Sequence, residues 1–384
     1  MWAAEPSTTA VTTGCSTPTA YEPAAQRLPY DWGVPVDEVL LASPRGFCAG
    51  VEKAIKALDW MVSVFEPPVY CYHEIVHNRH VVDHFCERGV IFVDDVAEVP
   101  TGAPLMLSAH GSPPEVVRRA RVNGGAVVDA VCPLVTKVHH ELKVRSRKGY
   151  TVLYVGHAGH EEAVGTMAVA PQSVRLVEHE SDLDALESDP AFGAHTPVAL
   201  LAQTTLSHDE WRGLMESARH RFPDLWMPNR SDLCFATTNR QAALKAIASE
   251  ADAVVVIGSE NSSNTVALET VARASGCPRV LRINEADELP GDLSGTVGVT
   301  AGASAPEALV EAVIARLAPR DGVTEVTVTT EDEYFPPPPE LRELLRSVGV
   351  TLAFLAGRPG APRTDPAAED RATSAADVLD VLAS

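Results

Sequence analysis

The sequence predicts an α/β fold of three pseudo-symmetric modules with parallel-type sheets, and three observations carry that expectation. From Val36 onward, short Val/Leu/Ile runs alternate with stretches of helical period, the signature of βαβ units. The runs are mostly continuous rather than alternating, as strands covered on both faces require. One local design also recurs at Cys48, Cys132 and Cys234, 84 and 102 residues apart: a cysteine that opens an amphipathic helix. Each spacing is about one small α/β module, so the three junctions are expected around a common centre. The repeat is architectural, without strong residue-by-residue self-similarity.

Taken in order, residues 1–36 are rich in Thr, Ala, Pro and Ser. They lack the basic start and apolar block of a secretory signal, and Arg27 is their first basic residue, which disfavours a transit peptide. They read as a disordered extension of a cytoplasmic protein. The first module, 37–132, takes strands at Val39–Ala42, Val69–Tyr72, Val90–Val93, Leu105–Ser108 and Ala126–Val128. Its helices are Lys53–Trp60, Asn78–Arg88 and Pro114–Val122. The second, 133–230, has helices Thr136–Arg147 and His208–His220 around strands Val152–Val155, Val174–Val177 and Val198–Ala202. The third, 231–317, has strands Ala253–Ile257, Arg279–Ile283 and Val297–Thr300 with helices Asn239–Ala248, Thr265–Ala274 and Pro306–Leu317. A segment over 318–342 returns to the core. The rest, 343–384, reads as a largely disordered tail rich in Ala, Pro, Arg and Asp, with one amphipathic helix at Glu340–Val350 and a short one at Ala375–Leu382.

Composition narrows the function. The chain of 384 residues carries 31 Lys+Arg against 52 Asp+Glu, a net charge of −21. Such a balance argues against nucleic-acid or anionic-membrane partners, which need a basic surface. It leaves room for a local pocket that takes a small anion. No run approaches 18 apolar residues, so no transmembrane helix is expected. Seven cysteines, an odd number spread over a long chain, do not form a disulfide framework.

The chemistry gathers at Asp129-Ala-Val-Cys-Pro-Leu-Val-Thr-Lys137. Pro133 suits a first helical position, and a thiol just before it faces backbone N–H groups and the positive helix end, which favour a thiolate. Joint ligation by Cys48, Cys132 and Cys234 competes with three separate core cysteines. The absence of a C-x₂-C pair weakens structural zinc. Three dispersed thiolates would leave one iron of a [4Fe–4S] cluster without a protein ligand, open to substrate. Cys71 and Cys86 read as core, and no role is assigned to Cys15 or Cys277. Five strand ends close in polar clusters that open helices: Ser108–Gly111, Gly156–His160, Gln203–Thr205, Gly258–Asn264 and Thr300–Ser304. Any one of them reads equally well as a helix cap, but together they point to an anion pocket at the carboxyl ends of the strands.

His73-Glu-Ile-Val-His77 matches the zinc-protease signature, which works only in mid-helix. Here it follows a strand and precedes the helix cap Asn78, so its histidines are expected along a turn, with His77 nearer the pocket. Glu162, an acid beside that pocket, points to proton delivery, against a surface salt bridge as the alternative. His139 and His140 read as a solvated helix face.

The motifs Pro44–Val51, His73–Arg79, Ser108–Gly111, Asp129–His139, Gly156–His160, Gln203–Ser207, Cys234–Gln241, Gly258–Asn264 and Thr300–Pro306 run in collinear order over about Val39 to Leu341. They closely resemble the 4-hydroxy-3-methylbut-2-enyl diphosphate reductase family, which performs the last step of the methylerythritol phosphate route to isoprenoids. The resemblance implies three pseudo-symmetric α/β modules around a central iron–sulfur cluster, a [4Fe–4S] cluster held by Cys48, Cys132 and Cys234. It implies diphosphate contacts from His77, His110, His160, Ser262, Ser263, Asn264 and Ser304, with Thr204 near the substrate hydroxyl and Glu162 as the proton-relay acid. An allylic diphosphate substrate and a ferredoxin- or flavodoxin-type electron donor follow from it, and a monomer or homodimer is expected. One departure stands out: where the family often reads His-Pro-Glu, this chain has His160-Glu-Glu162, and Glu161 adds a charge beside the acid. A non-catalytic cluster protein and a zinc-dependent hydrolase using His73, Glu74 and His77 are the competing readings. A carrier would not need five polar strand ends or Glu162.

Overall fold

A computed structural model describes residues 36–123, 125–188, 196–355 and 370–380. The described residues open with strand β1 (Val36–Ser43) and helix α1 (Ala49–Val64). It continues through β2 (Val69–Tyr72), α2 (Arg79–Glu87), β3 (Val90–Val93), β4 (Leu105–Leu107), α3 (Pro114–Val122) and β5 (Val127–Asp129). Next come α4 (Pro133–Arg147), β6 (Thr151–Val155), α5 (Glu161–Met167), β7 (Val174–Val177), α6 (Glu180–Glu187), β8 (Val198–Ala202) and α7 (His208–Arg221). The last part holds α8 (Phe235–Ala248), β9 (Ala253–Ile257), α9 (Ser263–Ala274), β10 (Val280–Ile283), β11 (Gly295–Ala301), α10 (Glu307–Leu317), β12 (Val323–Thr327), α11 (Pro339–Leu355) and α12 (Ala375–Asp380).

The strands form three sheets, ordered β3-β2-β4-β5, β7-β6-β8 and β10-β9-β11-β1-β12, and every pairing between them is parallel. β9 shows why its run is uninterrupted Ala-Val-Val-Val-Ile. Val255 and Ile257 pack with Val299, Leu309 and Val313 on one face, while Val254 and Val256 pack with Leu244, Ile247 and Leu268 on the other. β1 lies inside the 37–132 stretch of sequence, yet it pairs with β11 (Leu41 beside Val299) and β12 (Leu41 beside Glu325). The first strand among the described residues therefore sits in the sheet built from the last ones.

Three elements escape the sequence reading. β12, Val-Thr-Glu-Val-Thr, has only two apolar residues and is largely exposed, as an edge strand can be. α5 and α6 are short. In α5, Gly165 passes so close to the loop after β4 that a Cβ there would lie 2.3 Å from Gly111 O. Within 343–384, expected as a largely disordered tail with two helices, the described residues carry those helices as α11 and α12. α11 runs to Leu355, and Ala375 and Val378 of α12 enter the same core as Leu58 and Met61 of α1. A buried pair joins Asp370 to Lys56, whose Nζ lies 3.0 Å from Asp370 Oδ2, with Tyr334 Oη donating to that carboxylate. Composition alone reads as disorder here because the surface that orders the segment is supplied by α1. The 1–36 extension lies outside the described residues except for Val36, as do 356–369 and 381–384. No helix among the described residues is long and apolar enough to cross a membrane.

Candidate functional site

The three cysteines that mark the modules are equivalent in the structure. Cys48, Cys132 and Cys234 are the N-cap residues of α1, α4 and α8, all with extended backbone. Each amide donates to a carbonyl two residues beyond the end of a strand, one per sheet. Cys132 N–H reaches Ala109 O after β4 (3.0 Å), Cys234 N–H reaches Thr204 O after β8 (2.9 Å), and Cys48 N–H reaches Ala303 O after β11 (3.2 Å). The sheets thereby aim one thiol each into a single cavity. Helix N–H groups of Leu134 and Val135 turn to the Cys132 sulfur, and those of Ala236 and Thr237 to the Cys234 sulfur. Burial and the neighbouring Cys48 nevertheless push the Cys132 thiol up to about 12, and burial with both neighbouring thiols raises Cys234 well above its ordinary value. Thiolates packed this way repel one another unless a cation lies between them, and their N–H donors suit thiolate ligands. At Gly50 a Cβ would stand 2.8 Å from Cys132 Sγ and 3.8 Å from Cys48 Sγ, so only glycine leaves the sulfurs room. This donor set fits an iron–sulfur cluster.

Three basic side chains lace the cysteine loops into a ring. Lys53, in α1 behind Cys48, donates to Val131 O beside Cys132 at 2.8 Å. Lys137, in α4 behind Cys132, reaches Ser231 O at 3.0 Å and Asp232 Oδ1 at 3.1 Å beside Cys234. Arg240, in α8 behind Cys234, donates to Gly46 O and Phe47 O beside Cys48, and pairs with Glu331. Sequence reasoning passed over all three. Their offset of five or six residues from each cysteine is the signal that could have found them.

The same cavity is lined by every other candidate named from the sequence: His77, His110, His160, Glu162, Thr204, Ser262, Ser263, Asn264 and Ser304. His77 and His110 stack with centroids 4.0 Å apart at 16°, and His160 stands edge-on, 5.7 Å from His77 and 6.2 Å from His110. Burial, then His110 and His77, hold His160 down at about 3. Its Nδ1 accepts the Glu162 N–H at 3.2 Å, so the proton of the neutral ring is on Nε2. Ser262 caps α9 by accepting from Thr265 N–H, which leaves the next turns of the helix start to Ser263 and Asn264. Both side-chain amide atoms of Asn264, 4% exposed, lack a partner. Ser304 Oγ donates to His77 O at 2.9 Å, tying the third sheet to the imidazoles.

Glu162 is the buried acid of the site, 3% exposed. It accepts from Thr204 N–H at 2.7 Å and from Thr204 Oγ–H at 2.8 Å. Burial raises it to about 7 even though both Thr204 bonds lower it. A continuous line of contacts therefore runs from Cys234 through Thr204 and Glu162 to His160. Behind it, Gln203 and Thr205 hold Ser263 Oγ at 3.2 and 2.9 Å.

Some residues fall elsewhere. His73 lies outside the cavity lining, in a turn with φ 59° and not in mid-helix, so the zinc-protease geometry is absent there. Cys71 is a core thiol, Cys277 is buried with Sγ 3.3 Å from Arg279 O, and Cys86 is disulfide-bonded rather than a free core thiol. His139 is not on a solvated face: the loop at Gly111 closes over its ring, and burial lowers it to about 4.

Comparison with known proteins gives one consistent answer. The family model described as LytB protein matches residues 39–318. A 4-hydroxy-3-methylbut-2-enyl diphosphate reductase of Rhodopirellula baltica is 45% identical over 310 residues, 79% of this chain and 96% of the relative. The enzyme of the same name from Acidothermus cellulolyticus is 46% identical over 325 residues, 83% of this chain and 94% of the relative. Among solved structures, the E-1-hydroxy-2-methyl-but-2-enyl-4-diphosphate reductase of Plasmodium falciparum superposes with a TM-score of 0.77 at 29% identity. That match covers 82% of this chain and 99% of the other.

Proposed function

The chain belongs to the LytB family, and from that membership we propose that it reductively removes the hydroxyl of (E)-4-hydroxy-3-methylbut-2-enyl diphosphate. The products are isopentenyl and dimethylallyl diphosphate, and the reaction is the terminal step of the non-mevalonate pathway. Two electrons and two protons enter for each hydroxyl lost as water. The observation that carries the reading is one cavity with three converging thiols, a buried acid, and a set of imidazole, amide and hydroxyl groups suited to an anion.

The family's cofactor is a [4Fe–4S] cluster, and Cys48, Cys132 and Cys234 are its ligands in this reading. Bound there, it supplies electrons one at a time and an iron without a protein ligand as Lewis acid for the allylic hydroxyl. The remaining work falls to side chains. His77, His110 and His160 donate to the diphosphate together with Asn264, and Ser304 turns its hydroxyl from His77 O to do the same. Ser262 and Ser263 bring the α9 N-terminus to the same oxygens, where the helix favours negative charge. Thr204, whose hydroxyl already donates to Glu162, keeps that carboxyl beside the hydroxyl that leaves. Glu162, poised near 7, gives up a proton as water departs and is recharged from solvent. A ferredoxin- or flavodoxin-type protein delivers the electrons, and the enzyme works as a monomer or homodimer.

Anaerobic purification with metal analysis tests this. Equal iron and sulfide, lost in Cys132→Ser together with reduction of the allylic diphosphate, is the expected result. Stoichiometric zinc without iron would end the reading, and an intact cluster with full activity in Cys132→Ser would remove that residue from the ligand set.

A further inference from the structure

Two residues of the pocket's surroundings have no part in this reading, Glu161 and His73. The inference drawn for them rests on the diphosphate reading of the cavity. His110 lines the cavity and Glu161 does not: the carboxylate meets the ring from outside the lining as an ion-pair contact, with Oε2 2.8 Å from Nδ1 but outside hydrogen-bond geometry. Its other oxygen lies 3.8 Å from His73 Nδ1, and that nitrogen is 3.4 Å from Asp94 Oδ1. His73 reaches this place from a left-handed backbone, φ 59°, which a non-glycine residue adopts only when its surroundings impose it.

We propose that Glu161 is a positioning residue for His110. Its carboxylate, in ion-pair contact with the ring from outside the cavity, supplies the counter-charge that lets His110 take up a proton as a diphosphate binds. His73 steadies the other carboxylate oxygen.

The geometry argues for this over two alternatives. A carboxylate held against one edge of an imidazole favours its charged form and leaves the rest of the ring to the ligand. The groups facing His110 are Glu161, the stacked His77, the edge-on His160, and Glu74, whose Oε2 lies 3.1 Å from His77 Nδ1. With no ligand, burial and then His77 hold His110 below the ordinary imidazole range, while Glu161 and Glu74 pull it upward. Glu161 itself would be raised by burial, but contact with His110 and the charges of His110, His77 and His73 hold it at about 2. It is therefore a fixed anion across the working range. A diphosphate on the cavity side places His110 between two anions, where the imidazolium is the favoured form.

A metal site is the first alternative, because one ring nitrogen each of His77 and His110 and a Glu161 oxygen lie within 4.8 Å of one another. The two rings are nearly parallel, however, so their lone pairs run side by side instead of converging. The second alternative, that Glu161 competes with the diphosphate, is disfavoured by its place outside the lining.

The test is calorimetric binding of inorganic diphosphate to anaerobically prepared holoenzyme from pH 6 to 9, in buffers of different ionisation enthalpy. Wild type is compared with Glu161→Gln and with Glu161→Pro, the family's residue. The ligand's own ionisation is common to all three and cancels in the difference. A contacting carboxylate moves a neighbour's pKa by about 1–3 units. Both variants should therefore take up less proton on binding and lose affinity from about one pH unit lower, so that binding weakens roughly tenfold on the alkaline side. With the allylic substrate, the loss should fall on KM at alkaline pH, with kcat changed by less than about threefold. His73→Asn, which tolerates the left-handed backbone, should shift the profile the same way by less, and no shift would remove His73 from the arrangement. Unchanged proton uptake and an unmoved profile in both Glu161 variants would overturn the proposal, as would tighter binding at every pH. If inorganic diphosphate fails to bind wild type at all, the diphosphate reading itself falls.

Discussion

Arg240 decides whether the three thiol loops behave as one unit. Its guanidinium is fully buried. It donates to Gly46 O at 2.8 and 2.9 Å, to Phe47 O at 3.0 Å, and to both Glu331 oxygens at 3.0 and 3.1 Å. Arg240→Met keeps the length and apolar stem but strands two loop carbonyls and a half-buried carboxylate. Removing one partner of a buried, hydrogen-bonded charge pair costs about 3–5 kcal/mol, and each stranded carbonyl about 1–3 kcal/mol before the loop relaxes or admits water. A net loss of about 4 kcal/mol is a large share of the roughly 5–15 kcal/mol that holds a folded protein. Because the released loop carries Cys48, the cluster should suffer with the fold. Urea unfolding, iron content and visible absorption, all under nitrogen, measure both effects. Arg240→Lys should fall between, since one ammonium cannot serve loop and carboxylate as a planar fork does. Arg240→Met combined with Glu331→Gln should recover part of the loss, because the stranded charge is gone. If Arg240→Met matches wild type in unfolding midpoint and iron content, the lacing contributes nothing and the argument fails.

Gly50→Ala puts a methyl 2.8 Å from Cys132 Sγ, closer than such contacts allow, in a helix that otherwise welcomes alanine. The expected product is folded by circular dichroism yet depleted in iron, and full iron loading would show that the sulfurs can yield. Glu162→Gln should keep cluster and substrate binding but lose most turnover; unaltered turnover would sink the proton-donor role. The sign of its pH dependence follows from a carboxyl held near 7 by burial. Glu162 is protonated below that value, so kcat should be full on the acid side and fade as pH rises through about 7, and the Gln variant should lack this limb.

The fold was legible wherever burial wrote a short run rich in Val, Leu and Ile, unbroken where both faces are covered as in β8 and β9. β2, β3, β7, β8 and β9 lie where the runs predict them. What escaped was structure whose cause lies elsewhere in the chain. β12 is a largely exposed edge strand with only two apolar residues, and it pairs with β1, nearly 300 residues away. The helix at α12 was visible in the sequence, but its docking against α1 was not. For the same reason the third sheet could not be read as including β1, since parallel pairing across the length of a chain leaves no mark in local period.

The site divides in the same way. Residues that present polar atoms at strand ends were visible, because serine, threonine, asparagine and histidine in those positions have few local uses beyond a cap. Residues that act through another residue were not. Lys53, Lys137 and Arg240 look like ordinary solvated helix positions until the three modules close on each other, and then each serves the neighbour's loop rather than its own. Glu161 looked like a threat to the acid beside it. In the structure Glu161 faces His110 while Glu162 faces Thr204, because consecutive residues of a helix start point about 100° apart. Two adjacent acids can thus serve different ends of one cavity: one fixed as an anion by imidazoles, the other held near neutral pH by burial. A substitution that reads as crowding in one dimension becomes a separation of charge and proton in three.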